Sequence, residues 1–386
     1  MRVLIVLKDI PSEFVGYKSD LIVSLIKAHQ AVGYEVVLGT IGGEARHSWR
    51  TIYRSPQIVR RVWSSIVRAI FSEKRATQLL RTSFMRAVSC FHRHHPIDIV
   101  LAYCTSETPA LLALRIKETL SIPYVICEHR TIYQRQAEDI KNLSRDFLSA
   151  MQSANSVVAV SPQLAETMNQ LGLGKHIDSL PNSIPNTFFT PPSQNSIGVR
   201  EWSRDSFLFA SWTNWRDFKR LDLLLEAFYK AFKKNNTIRL VVAGRISSTM
   251  KSDLTSYIIQ AGLKPYVQLY GEASRKEIHQ LAHSCDCCVI SSDHETFGLP
   301  AIEAMAAGKP VVTTRCGGPE SIVTSRTLGR VVEPGDSQAL ADAMLDVVVH
   351  QATFEPWFIQ RNTYERYSED ALAHQWKQLY AQVLSV

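Results

Sequence analysis

Short apolar runs, many rich in β-branched residues, alternate along the chain with longer stretches whose apolar positions recur every three or four residues. The first period suits buried strands and the second amphipathic helices, so the pattern reads as repeated strand–helix units. In the first half, strands are predicted at 2–7, 35–38, 98–102, 124–127 and 156–160. Helices are predicted at 19–31 and 109–119, with another starting near Ser161 or Pro162. Ser161 suits the helix N-cap and Pro162 the first helical position. In the second half, strands fall at 206–210, 238–243, 267–270, 287–291, 310–314 and 329–332, with helices at 221–232, 249–260 and 275–284 between them. Strands joined by helices imply parallel pairing and right-handed crossovers. Between the halves, Pro181-Asn182-Ser183-Ile184-Pro185-Asn186 is turn chemistry, and residues 191–196 form a polar, Pro-rich linker.

The 386 residues exceed one ordinary hydrophobic core, which supports two domains. No apolar run approaches the ~20 residues of a membrane span. The opening residues carry Lys8 and Asp9 directly after a short apolar run, which reads as a buried strand and not a leader, so a cytoplasmic protein is expected. Cys285 and Cys288 form a C-x-x-C spacing with no second ligand pair nearby, and read as small core residues. The net charge of +7 is unevenly spread: from Arg46 to Arg93 the basic residues include Arg60, Arg61 and Arg68, and the only acid is Glu73. Ile58, Val62, Trp63, Ile66 and Ile70 interleave at helical spacing. Residues 46–93 therefore suit an amphipathic helix lying peripherally on an anionic membrane, at its inner face, or equally a helix packed on its own domain with a solvated basic face. No nucleic-acid motif accompanies the charge, and no nucleic-acid partner is expected.

The densest candidate chemistry is the stretch from His294 to Val312. Glu295 and Glu303 flank a Phe297-Gly298-Leu299-Pro300 turn, followed by a small-residue helix and a strand. Glycine permits close backbone approach, proline suits a helix's first turn, and the free N–H groups of that turn attract phosphate. Glu303, one turn into the helix, is placed to accept from ribose hydroxyls, and Glu295 from those of a sugar. The segment resembles the Glu-x7-Glu signature of retaining glycosyltransferases of family 4, which have the GT-B fold. That resemblance covers nearly the whole chain. It implies an α/β protein of two Rossmann-like, doubly wound domains facing across a cleft: an acceptor-binding domain over residues 1–190 and a nucleotide-sugar domain over 200–370, with a last helix over 371–386 returning to the first. It also implies that Glu295 contacts the donor sugar, that the backbone of Phe297, Gly298 and Leu299 contacts the diphosphate, and that Glu303 binds the ribose.

Further positions carry over in the same way. Lys219, in Phe218-Lys219-Arg220-Leu221, is similar to the family's lysine that neutralises the donor diphosphate, a charge that grows as the nucleotide leaves. The family's arginine after the preceding strand is missing from Trp212-Thr213-Asn214, and its glycine after the lysine is replaced by Arg220; either Arg216 or Arg220 could supply the second cation. His129 ends a strand, where the resemblance implies contact with the donor sugar, and Glu128 beside it could orient it or pass for a nucleophile. Gly16 stands where the family has paired glycines touching phosphate or acceptor. Gly244 and Gly271 end strands whose loops line the nucleotide base in the family. No Asp-x-Asp is present to hold a divalent cation, so neither a metal nor another cofactor is expected. The implied activity is transfer of a hexosyl group from a UDP- or GDP-sugar to a hydroxyl of a growing glycan, a lipid-linked one included. Two alternatives stand beside it: a sugar-nucleotide epimerase on the same architecture, and a non-catalytic binder of nucleotide sugar or glycan that supports another transferase.

Overall fold

The computed structural model describes residues 1–9, 17–42, 73–135, 142–193, 202 and 205–385. The chain divides into two compact units, Met1–Ser183 with Glu369–Val386, and Ile184–Ser368. In the first unit the elements run β1 (Arg2–Asp9), α1 (Tyr17–Ala31), β2 (Glu35–Gly42), α2 (Glu73–His94), β3 (Ile99–Cys104), α3 (Thr108–Leu120), β4 (Tyr124–Glu128), α4 (Ile132–Arg135), α5 (Arg145–Ser153), β5 (Ser156–Ala159), α6 (Pro162–Gln170) and β6 (Ile177–Ser179). They build one parallel sheet in the order β2-β1-β3-β4-β5-β6. β3 and β4 are buried along their whole length, which is why they appear in the sequence as unbroken apolar runs. Ser161 caps α6, its hydroxyl accepting from the Leu164 N–H, with Pro162 in the first turn as the sequence predicts.

The second unit runs β7 (Phe207–Trp212), α7 (Leu221–Lys234), β8 (Ile238–Ala243), α8 (Ser248–Gln260), β9 (Val267–Gly271), α9 (Arg275–Ser284), β10 (Cys287–Ile290), α10 (Leu299–Ala306), β11 (Val311–Thr314), α11 (Gly318–Ile322), β12 (Gly329–Val332), α12 (Ser337–Val349) and α13 (Pro356–Tyr367). Its parallel sheet has the order β12-β11-β10-β7-β8-β9. The last helix, α14 (Glu369–Leu384), belongs to the first unit. Trp376 and Tyr380 of α14 pack on the fully buried His29 of α1. His29 Nδ1 faces the Leu25 carbonyl at 2.7 Å, which can only accept, so Nδ1 carries the proton and Nε2 accepts from the Tyr380 hydroxyl at 2.8 Å. Burial pushes His29 down to about 4 and keeps this pair neutral.

Both sheets are doubly wound, and each has a point where successive crossovers leave in opposite directions: between β1 and β3 in the first, and between β7 and β10 in the second. In such sheets, ligands bind beyond the carboxyl ends of the strands at that point. Loops 213–220 and 291–298 leave the sheet there in the second unit. Among the described residues, no helix is long and apolar enough to cross a membrane.

Candidate active site

β7 and β10 end side by side, and their following loops are stitched together. The Ser291 hydroxyl donates to the Lys219 carbonyl at 2.9 Å, and the Asp293 N–H donates to the Phe218 carbonyl at 2.8 Å. The second loop is also pinned to β11's far end: the Glu295 N–H donates to the Cys316 carbonyl, and the Gly318 N–H to that of Glu295, each at 2.8 Å. A side chain at Gly318 would strike the Phe297 backbone at 2.3 Å, and Gly317 before it holds φ +114°, so this register needs glycine at both positions. The result brings Lys219 Nζ and Glu295 Oε2 into an ion pair, with about a tenth of each side chain exposed. Around them lies a small pocket, open to solvent and walled by Trp212, Trp215, Ser292 and Pro300. Burial pushes the Lys219 ammonium down to about 8; the buried Cys316 opposes this and the Arg216 guanidinium adds to it.

The two candidate second cations differ. Arg220 is committed: it pairs with Asp222 at 3.0 Å and with Asp293 at 3.2 Å. It also holds a left-handed backbone (φ +52°) at the N-cap of α7, the conformation that explains a glycine at this place in the family. Arg216 is exposed, and among the described residues no ion pair or side-chain hydrogen bond engages its guanidinium, although its charge is felt at Lys219.

Gly298 caps α10 with φ +100°, and a side chain there would meet Pro319 Cγ at 2.7 Å. Packing therefore requires this glycine whether or not a ligand approaches. It offers no side-chain cap; in the first turn of α10 Pro300 has no N–H and the Ala301 N–H donates to the Gly298 carbonyl at 2.9 Å, so among the described residues only the Leu299 N–H of that turn is without a partner. Phe297 and Leu299 are buried, with Phe297 edge-on to Tyr367, so only their backbone could meet a ligand. Glu303 is 1% exposed and both its oxygens are engaged: Oε2 accepts from the Trp212 indole at 2.6 Å, and Oε1 from Arg275 at 2.5 Å. Gly244 (φ +118°) is backed by the Thr213 carbonyl, where a side chain would overlap at 1.7 Å; Gly271 (φ +89°) faces open space. The loops after them are linked by the exposed pair Arg245–Glu272.

His129 lies in the first unit, at the end of β4. Its ring lies tilted against Tyr103, centroids 4.0 Å apart, and Nε2 is 3.3 Å from Cys127 Sγ. Burial pushes it down to about 3, so it acts as a neutral imidazole. Glu128 is fully buried. Its Oε1 accepts from His129 N, Arg130 N and Arg130 Nε, and its Oε2 from Arg130 Nη2 and the Tyr133 hydroxyl. A carboxylate has about four good acceptor positions, so Glu128 is saturated. It anchors the loop that carries His129 and is not placed as a nucleophile. Gly16, and the part of the basic segment that contains Arg60, Arg61 and Arg68, lie outside the described residues; the remainder is α2, with Arg86 and Arg93 exposed. Among the described residues, no group of three or more His, Cys, Asp or Glu is arranged to hold a metal ion. Cys285, Cys287 and Cys288 are fully buried, with their thiols pushed up by burial.

Two Rossmann-like units, the second with a pocket at its sheet switch point, give the GT-B class, and solved structures share that fold. The Anabaena protein HepE crystallised with UDP matches 99% of this chain and 100% of its own at a TM-score of 0.77 and 19% identity; its crystal with UDP-glucose matches at 0.74. Residues 195–370 match the family described as glycosyl transferases group 1, and residues 21–187 match Glycosyltransferase Family 4. The chain belongs to the family-4 glycosyltransferases. An uncharacterised glycosyltransferase of Methanocaldococcus jannaschii is 26% identical over 311 residues, 72% of this chain and 74% of that protein. Mannosylfructose-phosphate synthase of Agrobacterium fabrum is 26% identical over 273 residues, 62% of this chain and 59% of that protein, so the match spans under two thirds of its length.

Proposed function

We propose that this glycosyltransferase uses a nucleoside diphosphate sugar as donor and transfers the sugar, with retention of anomeric configuration, to a hydroxyl of a growing glycan. The observation that carries the reading is the Lys219–Glu295 pair at the switch-point pocket, near enough to Arg216 for its charge to act on Lys219. In the unliganded chain the two side chains neutralise each other. A diphosphate would take Lys219, Arg216 and the Leu299 N–H at the start of α10, and sugar hydroxyls would take the released Glu295 carboxylate. The largely buried Lys219, with Arg216 near it, stabilises the charge that grows on the leaving nucleotide, and that contribution is the catalytic one. This supply of positive charge leaves no role that requires a metal. Glu303 is the acceptor for the ribose. Neutral His129, its Nε2 on Cys127 Sγ, is the first unit's hydrogen-bonding group for the sugar, through Nδ1. UDP and GDP are the bases to test first, UDP being the nucleotide bound to Anabaena HepE.

The test is release of free nucleotide from a panel of UDP-, GDP- and ADP-sugars, with and without a lipid extract of the source cell. Turnover of one donor, raised by the extract, supports transfer to a lipid-linked acceptor. Isomerised donor formed without acceptor points to an epimerase, and binding without turnover to a non-catalytic partner. The basic segment is read as a contact with anionic membrane. Changing Arg60, Arg61 and Arg68 to Glu lowers co-sedimentation with anionic vesicles on this reading, and unchanged sedimentation removes it.

A further inference from the structure

Glu303 has two partners, and they are held very differently. Trp212 is the last residue of β7, 2% exposed, and its indole is locked under the pocket. An indole N–H is a donor with one direction, and it points at Oε2 from 2.6 Å. Arg275 sits in the first turn of α9, lies over the Phe188 ring at 4.8 Å, and keeps 16% of its side chain exposed. Its guanidinium reaches Oε1. A buried carboxylate without a compensating cation is costly, so the unliganded chain needs Arg275 there. With one oxygen fixed by the strand and the other held by a solvent-reachable side chain, only Oε1 can change partner without moving the carboxylate.

We infer that Trp212 is a positioning residue for donor recognition: its indole fixes Glu303 so that Oε1 faces the ribose, and Arg275 occupies Oε1 until a ribose hydroxyl replaces it. The inference rests on the reading of Glu303 as the ribose acceptor. Neither Trp212 nor Arg275 carries that role in the sequence pattern, and the indole makes the hydroxyl preference depend on a residue 91 positions away.

The experiment measures dissociation constants of UDP and its 2′-deoxy and 3′-deoxy forms by calorimetry, repeated with the GDP series if UDP does not bind. Loss of a hydrogen bond to a carboxylate predicts that the unaltered protein favours the ribo form over at least one deoxy form by about tenfold or more. Trp212→Phe keeps a ring against the pocket and removes the N–H. It is expected to lose most of that preference through weaker binding of the ribo form alone, with the deoxy forms bound as before. Replacing Trp212 by benzothienylalanine, which keeps the indole shape with sulfur in place of the N–H, gives the same result and guards against misfolding of the Phe variant. Equal weakening of all three nucleotides, or an unchanged preference, makes Trp212 a packing residue and overturns the inference. Glu303→Gln separates the two levels. If the unaltered protein shows no preference, binds neither series, or Glu303→Gln keeps the preference, the ribose reading itself fails; if only the Trp212 variants keep it, the inference alone fails.

Discussion

Lys219 is the group whose protonation the proposed chemistry needs and whose surroundings work against it. Burial lowers it from 10.5 to about 8. At pH 7 most of the unliganded protein then carries the charge, and a growing share loses it as the pH rises through about 8. A diphosphate binds the protonated form, so kcat/KM, which reports the free enzyme, is flat below about pH 7 and falls up to tenfold per pH unit above about pH 8. Stability moves the opposite way. The unfolded lysine keeps its proton to 10.5 and the folded one only to about 8, so between those values the unfolded chain binds more protons and stability rises with pH. The rise is at most about 3 kcal/mol, because the Glu295 carboxylate on Nζ holds the proton in place and reduces the difference. Activity that falls while the melting temperature holds or rises therefore separates titration of Lys219 from alkaline unfolding. The assay is initial rate at limiting donor from pH 6 to 10, paired with thermal melts. Lys219→Arg, ionised throughout, is expected to be slower but to lose the decline. A native profile flat to pH 10, or the same decline in Lys219→Arg, refutes the reasoning.

Other expectations follow from the same geometry. Arg216→Ala is expected to cut kcat/KM by about ten- to a hundredfold, the scale of one charge-assisted contact, while Arg220→Gly leaves it within about threefold, because Arg220 already serves two aspartates. Equal losses in both would return Arg220 to the diphosphate. Gly298→Ala must place a side chain at φ +100° and against Pro319, and is expected to lower stability by about 1–3 kcal/mol, read as a drop in melting temperature; an unchanged melt would show that the α10 entry relaxes freely. With Lys219, Arg216 and a helix N-terminus meeting the diphosphate, turnover is expected to survive exhaustive EDTA treatment, and a loss restored by Mg²⁺ or Mn²⁺ would contradict that charge assignment.

The second unit was legible in the sequence where local chemistry determines geometry. The run from Cys287 to Thr314 alternates buried strands with a Pro-started helix, and its elements stand where the pattern put them, within a few residues. The sequence pattern places Lys219 and Glu295 each after a strand, but that these two strands are neighbours in the sheet comes from the topology, β10 lying beside β7. β6 was missed because it has three residues, of which only Ile177 is buried; α5 was missed although Phe147, Ala150 and Met151 recur at helical spacing behind the Ser144 cap, a signal that was there to be read. The engagement of Glu303 by Trp212 and Arg275 was not legible at all, since partners 91 and 28 residues away are chosen by the sheet and not by local pattern. The same holds for Glu128: its neighbours in sequence suggested chemistry, and only the packed Arg130 and Tyr133 show a saturated strut.

The central claim is that sugar transfer runs through the Lys219–Glu295 pocket. Its most direct measurement is transfer from the identified donor by Lys219→Ala and by Glu295→Ala, each shown folded by circular dichroism and thermal melt. The account predicts that each variant loses transfer by about two orders of magnitude or more, the scale of a removed charge-stabilising group. Near-native transfer in either folded variant would contradict it.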